Sequence, residues 1–300
     1  MPANIIWLPS WYPNILGPFD GDFIQRHARA VSASAKLTVV FFKKDTESII
    51  TNDLKKTVSV QNNLQEIICY YRPVRTRLKL LNRLISFYTY RKVYKKILTE
   101  LINENGRPDL VHVHVALAAA APALWLKKKY QAPLLISEHW TGYLPSALYG
   151  ISDLHIFQRK LMEQLFASAM VLTAVSKVLG DSIKEHFIAP DYVVVPNVVN
   201  TDIFYPLPGP AKSVCRFIHI STLSFQKNIE AIINAFEIIK HKGCSFELII
   251  FGPPSETLYT LIVNADLAGN ICLKNEVPQP ELAKYVQEAD ALILFSRYET

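Results

Sequence analysis

Short apolar runs alternate with longer amphipathic stretches along the whole chain. Asn4–Leu8 and Lys36–Phe42 read as strands, with a helix over Phe23–Ser32 between them. Further strands are expected at Val58–Val60 and Glu66–Tyr71, before a long helix over Leu78–Leu101. A strand at Leu110–His114, a helix over Ala116–Lys129 and a strand at Pro133–Ser137 follow. The series closes with a helix over Ile156–Ser168, a strand at Met170–Ala174, a helix over Lys177–His186 and a strand at Tyr192–Val195. This βα alternation predicts an α/β fold built on parallel sheets.

Pro196–Lys212 breaks the rhythm. It carries Pro206, Pro208, Gly209 and Pro210 and has almost no periodicity, as expected of a linker. The pattern then restarts with a strand at Arg216–Ser221 and a helix over Asn228–Lys240, whose Ile229, Ile232, Ile233 and Phe236 share one face. Phe246–Phe251, Ile271–Leu273 and Ala291–Phe295 read as strands, with helices over Glu256–Asn264 and Glu281–Glu288 between them. The expectation is two Rossmann-like domains, 1–205 and 206–300. Because Ala291–Phe295 is followed by too few residues for a covering helix, the second domain reads as incomplete.

Composition narrows the class. Half of the 300 residues are hydrophobic, which argues against disorder. The start lacks a basic segment before its apolar run, and Leu110–Leu126 is interrupted by His112, His114 and Pro122, so neither reads as a signal or a membrane span. Cys69, Cys215, Cys244 and Cys272 are scattered without metal-ligand spacing and read as reduced core residues of a cytoplasmic protein. The net charge of +6 is uneven. Between Ile67 and Thr99 stand Arg72, Arg75, Arg77, Lys79, Arg83, Arg91, Lys92, Lys95 and Lys96, with no acid. Leu78, Leu81, Leu84, Ile85 and Tyr88 recur there at helical spacing, with Phe87 and Tyr90 interleaved. Such a segment suits peripheral docking on an anionic membrane surface through 72–96, or it is a helix with a solvated basic face. Nucleic acid is not an expected partner, since no binding module surrounds the patch.

Two Rossmann-like domains bind ligands at the carboxyl ends of their strands. No G-x-G-x-x-G follows the first strand of either half, which argues against a dinucleotide cofactor. Other segments carry a resemblance. Trp7-Leu8-Pro9-Ser10-Trp11-Tyr12-Pro13 with Gly21-Asp22-Phe23-Ile24, Pro108-Asp109-Leu110-Val111-His112-Val113-His114, and Ser137-Glu138-His139 resemble, in order, segments of family 4 glycosyltransferases. So do Ala174-Val175-Ser176, Val195-Pro196-Asn197, Ser221–Asn228 and Ser296-Arg297-Tyr298-Glu299-Thr300. The resemblance spans essentially the whole chain. It implies the GT-B fold and a retaining hexosyltransferase-type enzyme. The implied reaction moves a sugar from a nucleotide diphosphate sugar to the hydroxyl of a glycan or lipid-linked acceptor, in bacterial surface polysaccharide, lipopolysaccharide or capsule synthesis.

Carried over residue by residue, the resemblance implies catalytic roles for His139, Lys227 and Glu299. It implies donor-binding roles for Gly21, Thr222, Lys227, Asn228, Gly252, Ser296 and Glu299. This chain departs from the family pattern at several of these places. The family's phosphate-binding Arg falls on Thr222, its glycines on Ser221, Asn228 and Val198, and its aspartate on Asn200. Its second Glu would lie past Thr300. Chemically, glycosyl transfer leaves negative charge on the departing diphosphate, which a fixed cation beside helix N-terminal amides would stabilise. Lys227, before a predicted helix, suits that role; otherwise it is a surface lysine at a helix start, where a cation is slightly unfavourable. Glu299 would accept from donor-sugar hydroxyls, and His139 would hydrogen-bond sugar or acceptor, or simply pack beside Trp140. His112 and His114 share one strand face and read as packing residues.

Asp20-Gly21-Asp22 is a D-x-D, the metal-binding pattern of the other glycosyltransferase fold, yet it precedes a helix near the amino terminus. No metal and no cofactor beyond the donor substrate are expected. The competing readings are a nucleotide-sugar epimerase of the same architecture and a protein that binds its ligand without turnover.

Overall fold

The computed structural model describes residues 2–73, 76–207 and 214–300. It divides into two compact units, one of Met1–Tyr143 and Gly150–Pro196 with Thr300, the other of Leu144–Tyr149 and Asn197–Glu299. Pro208, Gly209, Pro210 and Lys212, which marked the predicted linker, lie outside the described residues, as does Arg75.

The first unit begins with β1 (Asn4–Pro9), α1 (Asp22–Val31), β2 (Lys36–Lys44), β3 (Leu54–Gln61) and β4 (Leu64–Tyr71). Then come α2 (Lys79–Asn105), β5 (Leu110–His114), α3 (Ala116–Tyr130) and β6 (Leu134–Glu138). It ends with α4 (Ile156–Ser168), β7 (Val171–Ala174), α5 (Lys177–His186) and β8 (Tyr192–Val194). The strands form one sheet in the order β3-β4-β2-β1-β5-β6-β7-β8. All pairings are parallel except β3 with β4, which run antiparallel from Leu54↔Tyr71 to Gln61↔Leu64. The expected strand Val58–Val60 is thus part of a longer edge hairpin. Its exposed lysines and polar residues suit an edge, which is why apolar patterning underestimated it.

Strand alternation sends neighbouring residues to opposite layers. Ile6 and Leu8 of β1 and Val40 and Phe42 of β2 enter the larger core with α2, α3 and α4. Trp7, Leu37, Val39 and Phe41 enter a smaller core with Tyr12, Ile24 and Ala28 on the α1 side. Burial on both faces explains the near-continuous apolar runs. On β5, Val111 and Val113 join the larger core, so His112 and His114 lie on the opposite face, against Trp7.

Proline inside α3 does not end the helix. Pro122 cannot donate to the Ala118 carbonyl, four residues back. The Tyr90 hydroxyl of α2 donates to that oxygen instead, at 2.8 Å.

The second unit contains β9 (Cys215–Ile220), α6 (Ile229–His241), β10 (Phe246–Phe251), α7 (Glu256–Asn264), β11 (Ile271–Lys274), α8 (Gln279–Glu288) and β12 (Ala291–Leu292). The strands pair in parallel in the order β11-β10-β9-β12. The predicted strand Ala291–Phe295 is shorter in the fold, although the Ile293 amide still donates to the Ile218 carbonyl at 2.8 Å. Ile229, Ile232, Ile233 and Phe236 pack on Leu248 and Ile250, as their spacing predicts.

One composition reading needs correction. Only Cys69 is a core residue; Cys215, Cys244 and Cys272 are exposed free thiols. They stand at the first residue of β9, in the loop after α6 and on the edge strand β11, positions that no core layer covers.

Candidate active site

In the second unit the residues singled out from the sequence converge at the carboxyl ends of β9 and β10. A 3-10 turn, Phe225–Lys227, leads into the Asn228 cap of α6, so Lys227 lies two residues ahead of the helix, where the predicted helix start placed it. Its ammonium pairs with the Glu299 carboxylate at 2.5 Å. Gln226 Nε2 donates to Glu299 Oε2 at 3.2 Å and to the Tyr298 carbonyl at 3.0 Å. The Arg297 amide donates to the Gln226 carbonyl at 2.8 Å, and the Arg297 guanidinium lies over the Phe225 ring. Segments about seventy residues apart in sequence are therefore held together through backbone and side chains. Burial would raise the Glu299 pKa, but hydrogen bonding to Lys227, Ser296 and Gln226 and the Lys227 charge hold it below the usual glutamate range. Ser296 Oγ is buried without a partner in hydrogen-bond geometry, yet close enough to the carboxyl to exert that effect.

The departures from glycine have a physical account here. Asn228 has φ 53° and caps α6 in the left-handed region, where asparagine is the best tolerated side chain after glycine. Ser221 uses its hydroxyl, accepting from the Leu223 amide at 3.0 Å and bonding His219 Nε2 at 2.7 Å. His219 is buried and its Nδ1 contacts the Ile293 carbonyl at 2.8 Å. Burial and the nearby Lys227 lower its pKa, so it stays neutral as a strut under the loop. Neither His219 nor the Ser221 hydroxyl was singled out in the sequence, because the bond between them shows no periodicity. Thr222 is exposed and bonds only weakly to Ser224, at 3.3 Å.

Gly252 follows β10 with φ 153°. A Cβ there would meet the Ser221 carbonyl oxygen at 2.3 Å and the Leu223 side chain at 2.7 Å. Gly252→Ala should therefore push the Ser221–Leu223 loop aside and cost about 1–3 kcal/mol. Urea unfolding checks this; an unchanged midpoint would mean the loop yields freely.

The first unit holds the other two candidates. Gly21 caps α1 at φ 61°, and a Cβ would approach the Trp11 carbonyl oxygen to 2.6 Å. Phe23, in the first turn of α1, contacts the His139 ring at 4.8 Å between centroids. His139 in turn stacks on His114 at 6.0 Å, with His27 at 6.3 Å. Both ring nitrogens of His139 and of His114 are buried without a hydrogen-bond partner. His112 differs: its Nε2 bonds Ser137 Oγ at 2.7 Å, which bonds Thr173 Oγ1 at 2.7 Å. Burial lowers all of these histidines, His139 to about 4 and His112 to about 3.

Glu138 supports this cluster and was not singled out beforehand. Its buried carboxyl accepts from the Ala116 amide at 2.7 Å, at the start of α3, from the Tyr143 hydroxyl at 2.8 Å and from the His139 amide at 3.2 Å. Burial pushes its pKa up to about 7, against the pull of these donors. Beside it Val115, at the β5–α3 junction, has φ 63°, a strained conformation for a β-branched residue. The Val115 amide donates to the Ser137 carbonyl at 3.0 Å and its carbonyl accepts from the Ser10 hydroxyl at 2.6 Å. Strained backbone at a strand end, fixed by several bonds, is a feature of functional sites.

The D-x-D carboxylates are both engaged by cations of the protein. Asp20 pairs with Lys43 at 2.9 Å, and Asp22 pairs with Arg26 one turn along α1.

Residues 48–203 match Glycosyltransferase Family 4, more than half of the chain. The chain belongs to glycosyltransferase family 4. Residues 211–300 of this family 4 chain match a second family, Glycosyl transferases group 1. A curated relative is TuaC of Bacillus subtilis (strain 168), assigned to teichuronic acid biosynthesis as a glycosyltransferase. It is 23% identical over 187 residues, which cover 61% of the chain and 46% of the relative. The match thus spans about half the length of that protein. Among solved structures, sucrose-phosphate synthase from Thermosynechococcus elongatus superposes with a TM-score of 0.72 at 14% identity, covering 99% of this chain and 76% of the other. The catalytic domain of starch synthase IV from Arabidopsis thaliana, bound to ADP and acarbose, gives 0.66 at 13% identity, covering 100% and 79%. These likenesses establish the α/β GT-B fold.

Proposed function

We propose that the protein transfers a sugar from a nucleotide diphosphate sugar to a hydroxyl of a glycan or lipid-linked acceptor. The observation that carries this reading is the Lys227–Glu299 pair, locked by Gln226 and Arg297 at the carboxyl end of a parallel sheet. It offers the two charges the donor needs within one hydrogen bond of each other. In this reading Lys227 and the amides at the start of α6 take the diphosphate, and Glu299 takes sugar hydroxyls. Thr222, Asn228, Gly252 and Ser296 shape the donor pocket around them. In the first unit, Gly21 allows close approach of backbone amides at the start of α1, and His139 faces the sugar or acceptor. The anomeric carbon–diphosphate bond breaks as the acceptor oxygen bonds to that carbon, and the hydroxyl proton leaves with the nucleoside diphosphate or to solvent.

Retention of configuration, a hexose donor and a place in bacterial surface polysaccharide synthesis belong to the same proposal; they are supported by family membership and the teichuronic acid relative. So does independence of metal, supported by the ion pairs that already hold Asp20 and Asp22. The test is transfer of label from UDP- and ADP-hexoses to glycan and lipid extracts, with and without EDTA. Labelled acceptor and free nucleoside diphosphate are expected in equal amounts, undiminished by EDTA. Conversion of the donor without acceptor would instead identify an epimerase, and binding without turnover would refute the transferase reading.

A further inference from the structure

The amino-terminal half of α2 stands apart from the core it leads into. From Val93 onward the helix supplies Val93, Tyr94, Ile97, Leu98, Leu101 and Ile102 to the larger core, with Tyr90 packed against it. Before Tyr90, four of its large apolar side chains face solvent. Tyr88 is 70% exposed and Leu84 59%, with Leu81 and Phe87 also exposed, and Leu78 just ahead of the helix is 66% exposed. Leu81, Leu84 and Tyr88 follow i, i+3, i+7 spacing, and the same stripe continues as Arg91, Lys92 and Lys95. Arg77, Arg83 and Lys96 are exposed beside it, and no acid occurs between Ile67 and Thr99. From Leu81 to Lys95 the stripe is about 21 Å long. Monomeric surfaces seldom concentrate exposed apolar groups in this way without a partner. Among the described residues no helix is long and apolar enough to cross a membrane.

We propose that this half of α2 docks on the anionic surface of a phospholipid bilayer. Leu78, Leu81, Leu84, Phe87 and Tyr88 enter the headgroup boundary, and Arg83, Arg91, Lys92, Lys95 and Lys96 meet lipid phosphates. The occupant follows from charge complementarity. A basic stripe without acids repels other basic surfaces and attracts anionic ones, while the apolar residues at one end need a non-aqueous layer rather than a soluble polyanion. A lipid-linked acceptor would then be met at the surface where it resides. Docking itself does not depend on transfer activity.

The experiment is co-sedimentation of the protein with vesicles of phosphatidylcholine alone or mixed with phosphatidylglycerol, with no donor or acceptor present. Its failure is therefore distinct from failure of the transferase reading. Binding only to the mixed vesicles, lost in high salt, is expected. The Arg91→Gln/Lys92→Gln/Lys95→Gln/Lys96→Gln variant should bind roughly a hundredfold or more weakly, at about fivefold per charge. The Leu81→Ser/Leu84→Ser/Tyr88→Ser variant should also lose binding at unchanged charge. All of its substituted side chains are exposed, so its melting temperature should match the parent's. Equal binding to neutral vesicles, absence of binding, or undiminished binding by either variant would overturn the proposal.

Discussion

Lys227→Ala is expected to lower kcat/KM for sugar transfer by more than a hundredfold, with most of the loss in kcat. The charge it meets in the proposed reaction grows as the diphosphate departs, so the contact is stronger in the transition state than in the bound donor. Removing one such fixed electrostatic contact costs about 3–4 kcal/mol of barrier, and each 1.4 kcal/mol is about a factor of ten. The fold should survive the change. Lys227 leaves behind a Glu299 side chain that is 51% exposed and can hydrate, so the lost ion pair costs at most about 1 kcal/mol of stability. Arg297 and Gln226 still tie the two segments through backbone and ring contacts. A matched thermal melt beside steady-state kinetics separates the two effects. If kcat/KM stayed within about threefold of the parent's, Lys227 would not be the diphosphate cation.

How far such a site can be read from sequence depends on the distance over which its bonds act. Core layers follow from periodicity, because alternation along β1, β2 and β5 assigns each residue to one face or the other. The shared face of His112 and His114 was legible for that reason. The direction of β3 was not, since an edge strand with a polar pattern carries no sign of antiparallel pairing. Glu138 looks like any acid beside a histidine; its importance comes from Ala116, 22 residues earlier, and from Tyr143. The bonds joining His219, Ser221 and the Leu223 amide were hidden similarly, behind a serine that stood out only as a departure from glycine. Exposure of Leu84 and Tyr88 could not be inferred either, because an amphipathic stripe reads the same whether it faces a core or a bilayer.

Acidification from pH 7 to pH 4.5 is expected to destabilise the first unit steeply. His112, His114 and His139 are held neutral by burial, with His112 at about 3 and His139 at about 4, whereas in the unfolded chain they titrate near 6.5. Groups with depressed folded values lose stability as pH falls below the unfolded value, because the unfolded state takes up protons the folded state refuses. Each such histidine costs about 1.4 kcal/mol per pH unit. Glu138 opposes them. Its folded value of about 7 lies above the unfolded 4.5, so its burial is least costly at low pH and destabilises as pH rises through that window. Three terms against one leave a net loss of about 3 kcal/mol per pH unit below 6.5. Over two units that approaches the whole stability of a typical domain, about 5–15 kcal/mol. Differential scanning calorimetry across this range should show a falling melting temperature well before most surface carboxylates begin to protonate. Glu138→Gln removes the opposing term and should steepen the fall to about 4 kcal/mol per pH unit. A melting temperature that stayed flat from pH 7 to 4.5 would mean the three imidazoles are hydrated and protonate freely. In that case His139 could enter catalysis as a cation, a role its burial against Phe23 and His114 otherwise denies it.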